Sequence, residues 1–210
     1  EMDSAFESVF ARVKPELDSN KDEYADQIKK LQACITKLTD TGVKISSIEE
    51  SELDENFLET LRNSKIIVDH MHIPLQSGST SVLQRMNRKY DTKTFLNKLK
   101  ELRNIRPDIA ITTDVIVGFP LESDEEWKET MAFCKEAKFA EIHVFPYSSR
   151  QGTVASKMKQ IDEKIKKERV GELLTLSKEL RESYKKEFYG KEVEVLFEDY
   201  EEKSQIAYGH

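Results

Sequence analysis

The stretch Ile-Ala-Ile-Thr-Thr-Asp-Val-Ile-Val at residues 109–117, followed by Gly118-Phe119-Pro120, decides the fold class of this chain. The run is apolar almost throughout, which is typical of a strand buried on both faces in a parallel sheet. The Gly and Pro that follow predict a turn, so the strand ends in a loop. Since parallel strands need helical crossovers, this stretch predicts an α/β protein.

Three further apolar runs have the same character, and amphipathic helical patterns separate them. The four predicted strands are residues 43–48, 66–75, 109–117 and 140–145. The helical patterns cover residues 51–62, 79–87, 92–103, 124–138 and a long segment at 162–189. Ser51 with Asp54, and Ser123 with Glu126, are expected to cap two of these helices. The alternation predicts parallel β/α units, and four strands make an incomplete barrel or an open sheet.

Residues 1–41 carry a different pattern. Apolar residues recur at helical spacing over residues 4–14 and 22–38, with the turn-like Asp18-Ser19-Asn20 between them, which predicts a helical hairpin. We therefore divide the chain into a helical hairpin at 1–41, an α/β domain at 42–190 and a terminal segment at 191–210.

Composition excludes several classes of protein. The charged fraction is 35% and no apolar run approaches the roughly 20 residues of a membrane span, so we expect a cytoplasmic protein without a membrane partner. Cys34 and Cys134 are far apart, which predicts no disulfide framework. The net charge of -7 disfavours nucleic-acid binding through the whole surface. The Lys- and Arg-rich residues 157–191 suit either a solvated helix face or an RNA-facing surface.

Ligands of parallel β/α sheets lie at the carboxyl ends of the strands, where loops vary freely. All four predicted strand ends are polar or contain glycine: Ser46-Ser47-Ile48-Glu49, Gln76-Ser77-Gly78-Ser79, Gly118-Phe119-Pro120 and Pro146-Tyr147-Ser148-Ser149-Arg150. Gln76 and Ser77 suit ribose or carboxylate oxygens, Gly118 suits close approach to a flat ring, and Arg150 suits a phosphate or carboxylate.

Histidines and one acid stand inside the predicted strands. His70, His72 and His143 alternate with apolar residues, and a structural role is favoured over metal ligation because no second ligand stands at a suitable spacing. Asp114 is expected either to be paired by hydrogen bonds or to lie near the ligand, since an unpaired buried carboxylate would be costly.

Three motifs at the strand ends carry a family resemblance. They are His72-Ile-Pro-Leu-Gln-Ser-Gly-Ser79, Thr113-Asp-Val-Ile-Val-Gly-Phe-Pro120, and Phe145-Pro-Tyr-Ser148 with Arg150 after it. Their order and spacing resemble the radical SAM tRNA methylthiotransferases over residues 42–196. The third motif is most similar to the subfamily that methylthiolates C2 of N6-threonylcarbamoyladenosine at position 37 of tRNA.

The resemblance implies a fold, cofactors and site residues. Residues 42–190 would be the C-terminal half of a radical SAM (β/α) barrel, and the full-length family uses S-adenosyl-L-methionine (SAM), 4Fe-4S clusters and the tRNA anticodon loop. It implies SAM contacts at Ser46, Ser47, Glu49, Gln76, Ser77, Gly118, Phe119 and Phe145, and substrate contacts at Tyr147 and Arg150. It assigns no catalytic residue and no metal ligand.

The sequence also departs from the family. The Cys-x-x-x-Cys-x-x-Cys motif that holds the radical cluster is absent, residues 1–41 do not resemble the family, and Leu121 stands where the family usually has Gly. Residues 191–210 resemble the start of a TRAM domain, a small RNA-binding β-barrel. We expect a fragment that is inactive alone, with a missing N-terminal half as a partner. The alternatives are a non-catalytic or engineered α/β module, and a SAM- or RNA-binding domain without chemistry.

Overall fold

A computed structural model describes residues 43–45, 47–193, 197–201 and 205–209. The predicted helical hairpin at 1–41 lies outside the described residues. The main sheet has four parallel strands in chain order: β1 Val43–Ile45, β2 Ile67–His72, β3 Ala110–Val117 and β4 Glu141–Pro146. This confirms the predicted α/β class and the four parallel strands.

Helices connect the strands and cover the sheet. They are α1 Glu55–Asn63, α2 Thr80–Arg85, α3 Thr92–Ile105, α4 Asp124–Ala137 and α5 Glu163–Lys186, with short 3-10 helices at Glu50–Glu52 and Ala155–Lys157. The long helix predicted after β4 is therefore confirmed as α5. After it, β5 Phe197–Glu201 and β6 Ile206–Gly209 form a separate antiparallel pair. Among the described helices, none is long and apolar enough to cross a membrane.

The two faces of the main sheet have different surroundings. On β3, the side chains of Ile111, Val115 and Val117 are buried and join the hydrophobic core beneath the helices. Asp114 and Ile116 point the other way and are half-buried. The strand is thus less completely buried than its apolar run predicts. We call the side that carries Asp114 and Ile116 the far face of the sheet.

Helix caps test two local predictions. Ser123 caps α4 as expected, and Glu126 completes the capping box by accepting a hydrogen bond from the Ser123 backbone N–H at 2.9 Å. The prediction that Ser51 caps a helix is wrong, because Ser51 lies within the 3-10 helix Glu50–Glu52. Asp54 caps α1 instead, accepting from the Phe57 N–H at 2.8 Å. The extended backbone of Asp54 separates the two helices, so the cap lies after the short turn.

Candidate functional site

A cavity of about 500 Å³ lies on the far face at the carboxyl ends of β2, β3 and β4. Its volume is in the usual range for small-molecule sites. It is lined by Gln76, Asp114, Ile116, Phe145, Pro146, Tyr147, Ser148, Arg150, Thr153 and Ala155. The cavity therefore lies at the end of the sheet where the sequence predicted a ligand.

Gln76 reaches the cavity through an unusual backbone conformation. Its φ of +69° is in the left-handed region, which residues other than glycine seldom adopt. Its N–H donates to the Asp114 carbonyl and its carbonyl accepts from the Ile116 N–H, both at 2.8 Å. These bonds extend the β2–β3 pairing past the end of β2 and hold Gln76 at the rim of the cavity.

Two histidines and an aspartate meet on the far face beside the cavity. The His72 Nε2 lies 3.2 Å from the Asp114 Oδ1, and the His72 Nδ1 lies 2.9 Å from the Thr112 Oγ1. His143 lies directly opposite Asp114 in the β3–β4 register, and its ring centroid is 5.5 Å from that of His72. One ligand atom from each of His72, Asp114 and His143 lies within 4.8 Å of the others.

Sequence reasoning missed this cluster. It favoured isolated structural histidines because no second ligand stands nearby in the chain, whereas the partners come from three neighbouring strands. The predicted strand bounds do not give the register that places Asp114 opposite His143. Asp114 is paired with His72, as one of the two alternatives expected, and it also lines the cavity; its place near a ligand stays a prediction.

Behind the cavity, α5 packs against the loop after β3. Gly118 has a φ of +73°, and a Cβ there would lie 2.7 Å from the Lys166 Cγ. The Lys166 ammonium donates to the Tyr147 carbonyl at 3.2 Å and pairs with Glu163 at 2.7 Å. The Lys166 stem therefore packs closely against Gly118, and the approach of a flat ring there stays a prediction.

Buried charges hold this loop to α5. Glu122 accepts from the Gly118 N–H at 3.0 Å and from the Arg169 guanidinium at 2.8 Å, and Arg169 also pairs with Asp124 at 2.7 Å. Burial raises the pKa of Glu122, although the positive charge of Arg169 opposes the rise. The guanidinium also lies 5.8 Å from the centre of the Trp127 ring. The loop is thus fixed by a buried ion pair.

Four of the predicted site residues line the cavity: Gln76, Phe145, Tyr147 and Arg150. Phe145 is 50% exposed, and Arg150 is also exposed. The buried Phe119 lies outside the lining and supports it, because its ring contacts the Tyr147 ring edge-on at a centroid distance of 5.2 Å.

Other predicted residues lie away from the cavity lining. The Ser77 hydroxyl is fully buried, 3.3 Å from the Thr130 hydroxyl of α4. Ser47 and Glu49 are exposed after β1, where the Glu49 carboxylate lies 3.9 Å from the Arg88 guanidinium. Ser46 lies outside the described residues. The SAM contacts predicted for these residues and for Gly118 and Phe119 stay predictions.

The described part of the chain does not fit an iron–sulfur cluster. Cys134 is its one free cysteine, fully buried in α4, and burial raises the pKa of its thiol to about 12. A 4Fe-4S cluster is held by cysteine thiolates that face it, and Cys134 is buried with its thiol protonated. The lining residues do fit SAM, since they offer an aromatic ring and an amide in one cavity.

Comparisons with known proteins identify the family to which this α/β fold belongs. Residues 8–134 match the model of the Radical SAM superfamily. The chain is 48% identical over 158 residues to the threonylcarbamoyladenosine tRNA methylthiotransferase MtaB of Bacillus subtilis (strain 168), covering 75% of this chain and 35% of that protein. It is 37% identical over 165 residues to the tRNA-2-methylthio-N(6)-dimethylallyladenosine synthase of the same organism, covering 78% and 32%.

A solved structure shares the fold. Coproporphyrinogen III oxidase (HemN) from Escherichia coli, a radical SAM enzyme, matches 74% of this chain and 37% of its own with a TM-score of 0.57 at 19% identity. The chain thus spans about a third of the length of the curated relatives it matches.

The family match covers more than half of the chain, and it begins at residue 8. It therefore includes part of the segment at 1–41 that the sequence analysis set apart, and the boundary at 41 stays a prediction. The fold, the strand-end cavity and the shared sequence lead to one conclusion. This chain belongs to the radical SAM superfamily and is homologous to the tRNA methylthiotransferases.

Proposed function

We propose that this chain is the SAM- and nucleoside-facing part of a cytoplasmic tRNA methylthiotransferase that acts at C2 of N6-threonylcarbamoyladenosine at position 37, in the anticodon loop. The observation that carries the proposal is the 48% identity to MtaB, against 37% to the dimethylallyladenosine synthase of the same organism. The difference favours the threonylcarbamoyl substrate, and the modification of tRNA in both relatives favours a tRNA partner.

The cavity supports SAM as the ligand. The exposed ring of Phe145 offers a stacking surface for adenine, and the Gln76 amide suits ribose hydroxyls. When bound, SAM would supply the methyl group of the methylthio product.

The rim of the cavity supports a tRNA substrate. Arg150 is exposed and presents a guanidinium that suits a phosphate or the carboxylate of the threonylcarbamoyl group. Tyr147 lies beside it with its backbone N–H fixed to the Val117 carbonyl at 2.8 Å. We propose these two residues as substrate contacts.

We propose that the thiolates of the radical cluster come from outside this chain. The sequence holds two cysteines, whereas a radical cluster needs three thiolates, and the described one is buried and protonated. The chain alone would then bind SAM but not methylthiolate tRNA, and a partner carrying the cluster would complete the site.

A chimera tests the assignment of substrate. Residues 42–190 replace the matching segment of the Bacillus subtilis MtaB in a strain that lacks its own MtaB, and tRNA nucleosides are measured by mass spectrometry. We expect methylthiolated threonylcarbamoyladenosine to return, because the chimera supplies the cluster. A stable chimera that restores no product, or that methylthiolates only dimethylallyladenosine, contradicts the proposal.

Calorimetric titration of SAM into the chain tests the cavity and separates the remaining alternatives. Phe145→Ala should weaken binding about 5- to 150-fold, since stacking of a base on an aromatic ring contributes about 1–3 kcal/mol. Tyr189→Ala removes an exposed ring outside the cavity lining and is the matched control. No heat of SAM binding would favour the non-catalytic module. SAM binding combined with an inactive chimera would favour a binding domain without chemistry.

A further inference from the structure

We propose that His72, Asp114 and His143 bind one divalent transition-metal ion of the zinc or iron(II) class on the far face of the sheet. The site is distinct from any iron–sulfur cluster because its donors are two imidazoles and one carboxylate. The inference stands on the geometry of three strands and does not depend on the proposed substrate.

The distances suit a single ion. Metal–nitrogen and metal–oxygen bonds of about 2.1 Å place neighbouring ligand atoms about 3.0–3.4 Å apart. The His72 Nε2 and the Asp114 Oδ1 are already 3.2 Å apart. The third ligand atom lies within 4.8 Å of both, and the exposed His143 side chain is free to turn the remaining distance inward.

A neighbouring hydroxyl prepares His72 as a ligand. The Thr112 Oγ1 lies 2.9 Å from the His72 Nδ1, directly opposite on the adjacent strand. When it accepts a hydrogen bond from Nδ1–H, the Nε2 lone pair is left facing Asp114. Metal-bound histidines almost always make such a bond through the other ring nitrogen, which fixes the ring and its tautomer.

An ion pair between His72 and Asp114 would account for the closeness of these two residues, but it would not account for the position of His143. His143 is directly opposite Asp114 in the β3–β4 register, so its side chain emerges on the same face. The sheet holds the backbones of the three ligands side by side, so only the His143 side chain has to turn on binding.

The donor set also selects the kind of ion. Two imidazoles favour zinc, iron(II) and their neighbours, whereas magnesium and calcium prefer oxygen ligands throughout. Three protein ligands leave coordination positions open, as in catalytic zinc sites and in iron(II) sites with two histidines and one carboxylate. Because Asp114 also lines the cavity, a bound ion would lie at the edge of that cavity.

Titration with cobalt(II) chloride tests the site in the purified chain. We expect one cobalt ion per chain, visible ligand-field absorption without a thiolate charge-transfer band, and displacement by zinc chloride. His143→Gln should weaken cobalt binding at least about tenfold, because losing a ligand should cost no less than the roughly 10- to 100-fold of losing an outer-shell partner. His143 is exposed, so this variant should keep the fold, which circular dichroism checks.

Matched variants make the result decisive. Asp114→Asn removes a ligand charge and should also weaken cobalt binding, whereas Asp69→Asn removes an exposed aspartate of the same sheet that pairs with Arg106 and should not. Unchanged affinity in a folded His143→Gln variant, an equal loss in Asp69→Asn, or a thiolate band would each overturn the proposal.

Discussion

Replacing Arg169 by methionine should lower the free energy of unfolding by about 3–5 kcal/mol, the usual cost of removing one partner from a buried ion pair. The side chains of Arg169 and Glu122 are 6% and 0% exposed, and the distance between their charged atoms is 2.8 Å. Methionine fills much of the arginine volume, so the loss comes chiefly from the Glu122 carboxylate left buried without a cation. Among the described residues, the Glu122 Oε1 already has no hydrogen-bond partner.

The pH dependence identifies Glu122 as the cause. Burial raises the pKa of Glu122 above its ordinary value of 4.5, so the folded carboxyl holds its proton more tightly than the unfolded one. The stability that the protonated Glu122 contributes is therefore fully present below pH 4.5. It is lost as the pH rises through the higher pKa of the folded state. Without Arg169 the pKa rises further, and the destabilisation should be larger near pH 7 than near pH 4.5.

Urea unfolding followed by tryptophan fluorescence measures the effect. Trp127 is the one tryptophan of the chain, and it lies against the Arg169 guanidinium. The double variant Glu122→Gln with Arg169→Met is the control, because it removes both charges and should recover much of the loss. A loss of less than about 1 kcal/mol, or one independent of pH and unrelieved in the double variant, would refute the reasoning.

Three further outcomes follow from local geometry. Gly171→Ala should raise the free energy of unfolding by about 0.5–1 kcal/mol, because Gly171 lies within α5 and an added Cβ would meet nothing within 4 Å. Urea unfolding measures the change, and a loss of stability would contradict the prediction. Gly78→Ala should lower the free energy of unfolding by about 1–3 kcal/mol or more, and with it the melting temperature, because the new Cβ would lie 2.7 Å from the Thr130 Cα. An unchanged melting temperature would show that the loop moves to accept the methyl group. The hydrogen bond from Arg85 helps to lower the pKa of Glu126 from 4.5 to about 2. The ionised Glu126 therefore stabilises the fold above pH 4.5, and this contribution is lost as the pH falls towards 2. The difference in stability between wild type and Glu126→Gln should therefore shrink on acidification, and a constant difference would count against the pair.

Strand positions could be predicted because their signals are local. The apolar run at 109–117 becomes β3 Ala110–Val117, and the capping pair Ser123 and Glu126 marks the start of α4. The position of Ser77 could not be predicted in this way. Gln76 takes a left-handed φ, which breaks the alternation of side chains along the strand, and Ser77 then turns into the interior.

Part of the site was predictable for the same reason. Gln76, Phe145, Tyr147 and Arg150 follow strand ends, and strand ends of parallel sheets gather at one edge. The cluster of histidines and aspartate depends on register between strands far apart in the sequence, which no local spacing reveals. The contact between Lys166 and Gly118 could not be predicted, because Lys166 comes from α5. The face that this helix turns towards the sheet depends on tertiary packing.

The strand order of the main sheet has a consequence for biosynthesis. Because spatial order follows chain order from β1 to β4, each strand after β1 pairs with one that left the ribosome before it. Among these four described strands, none has to be inserted between segments made later, so this sheet can grow one β/α unit at a time during translation. The last helix, α5, then closes the growing unit by packing on β4. Slowing translation after α5 should therefore aid folding less than slowing it between the strands.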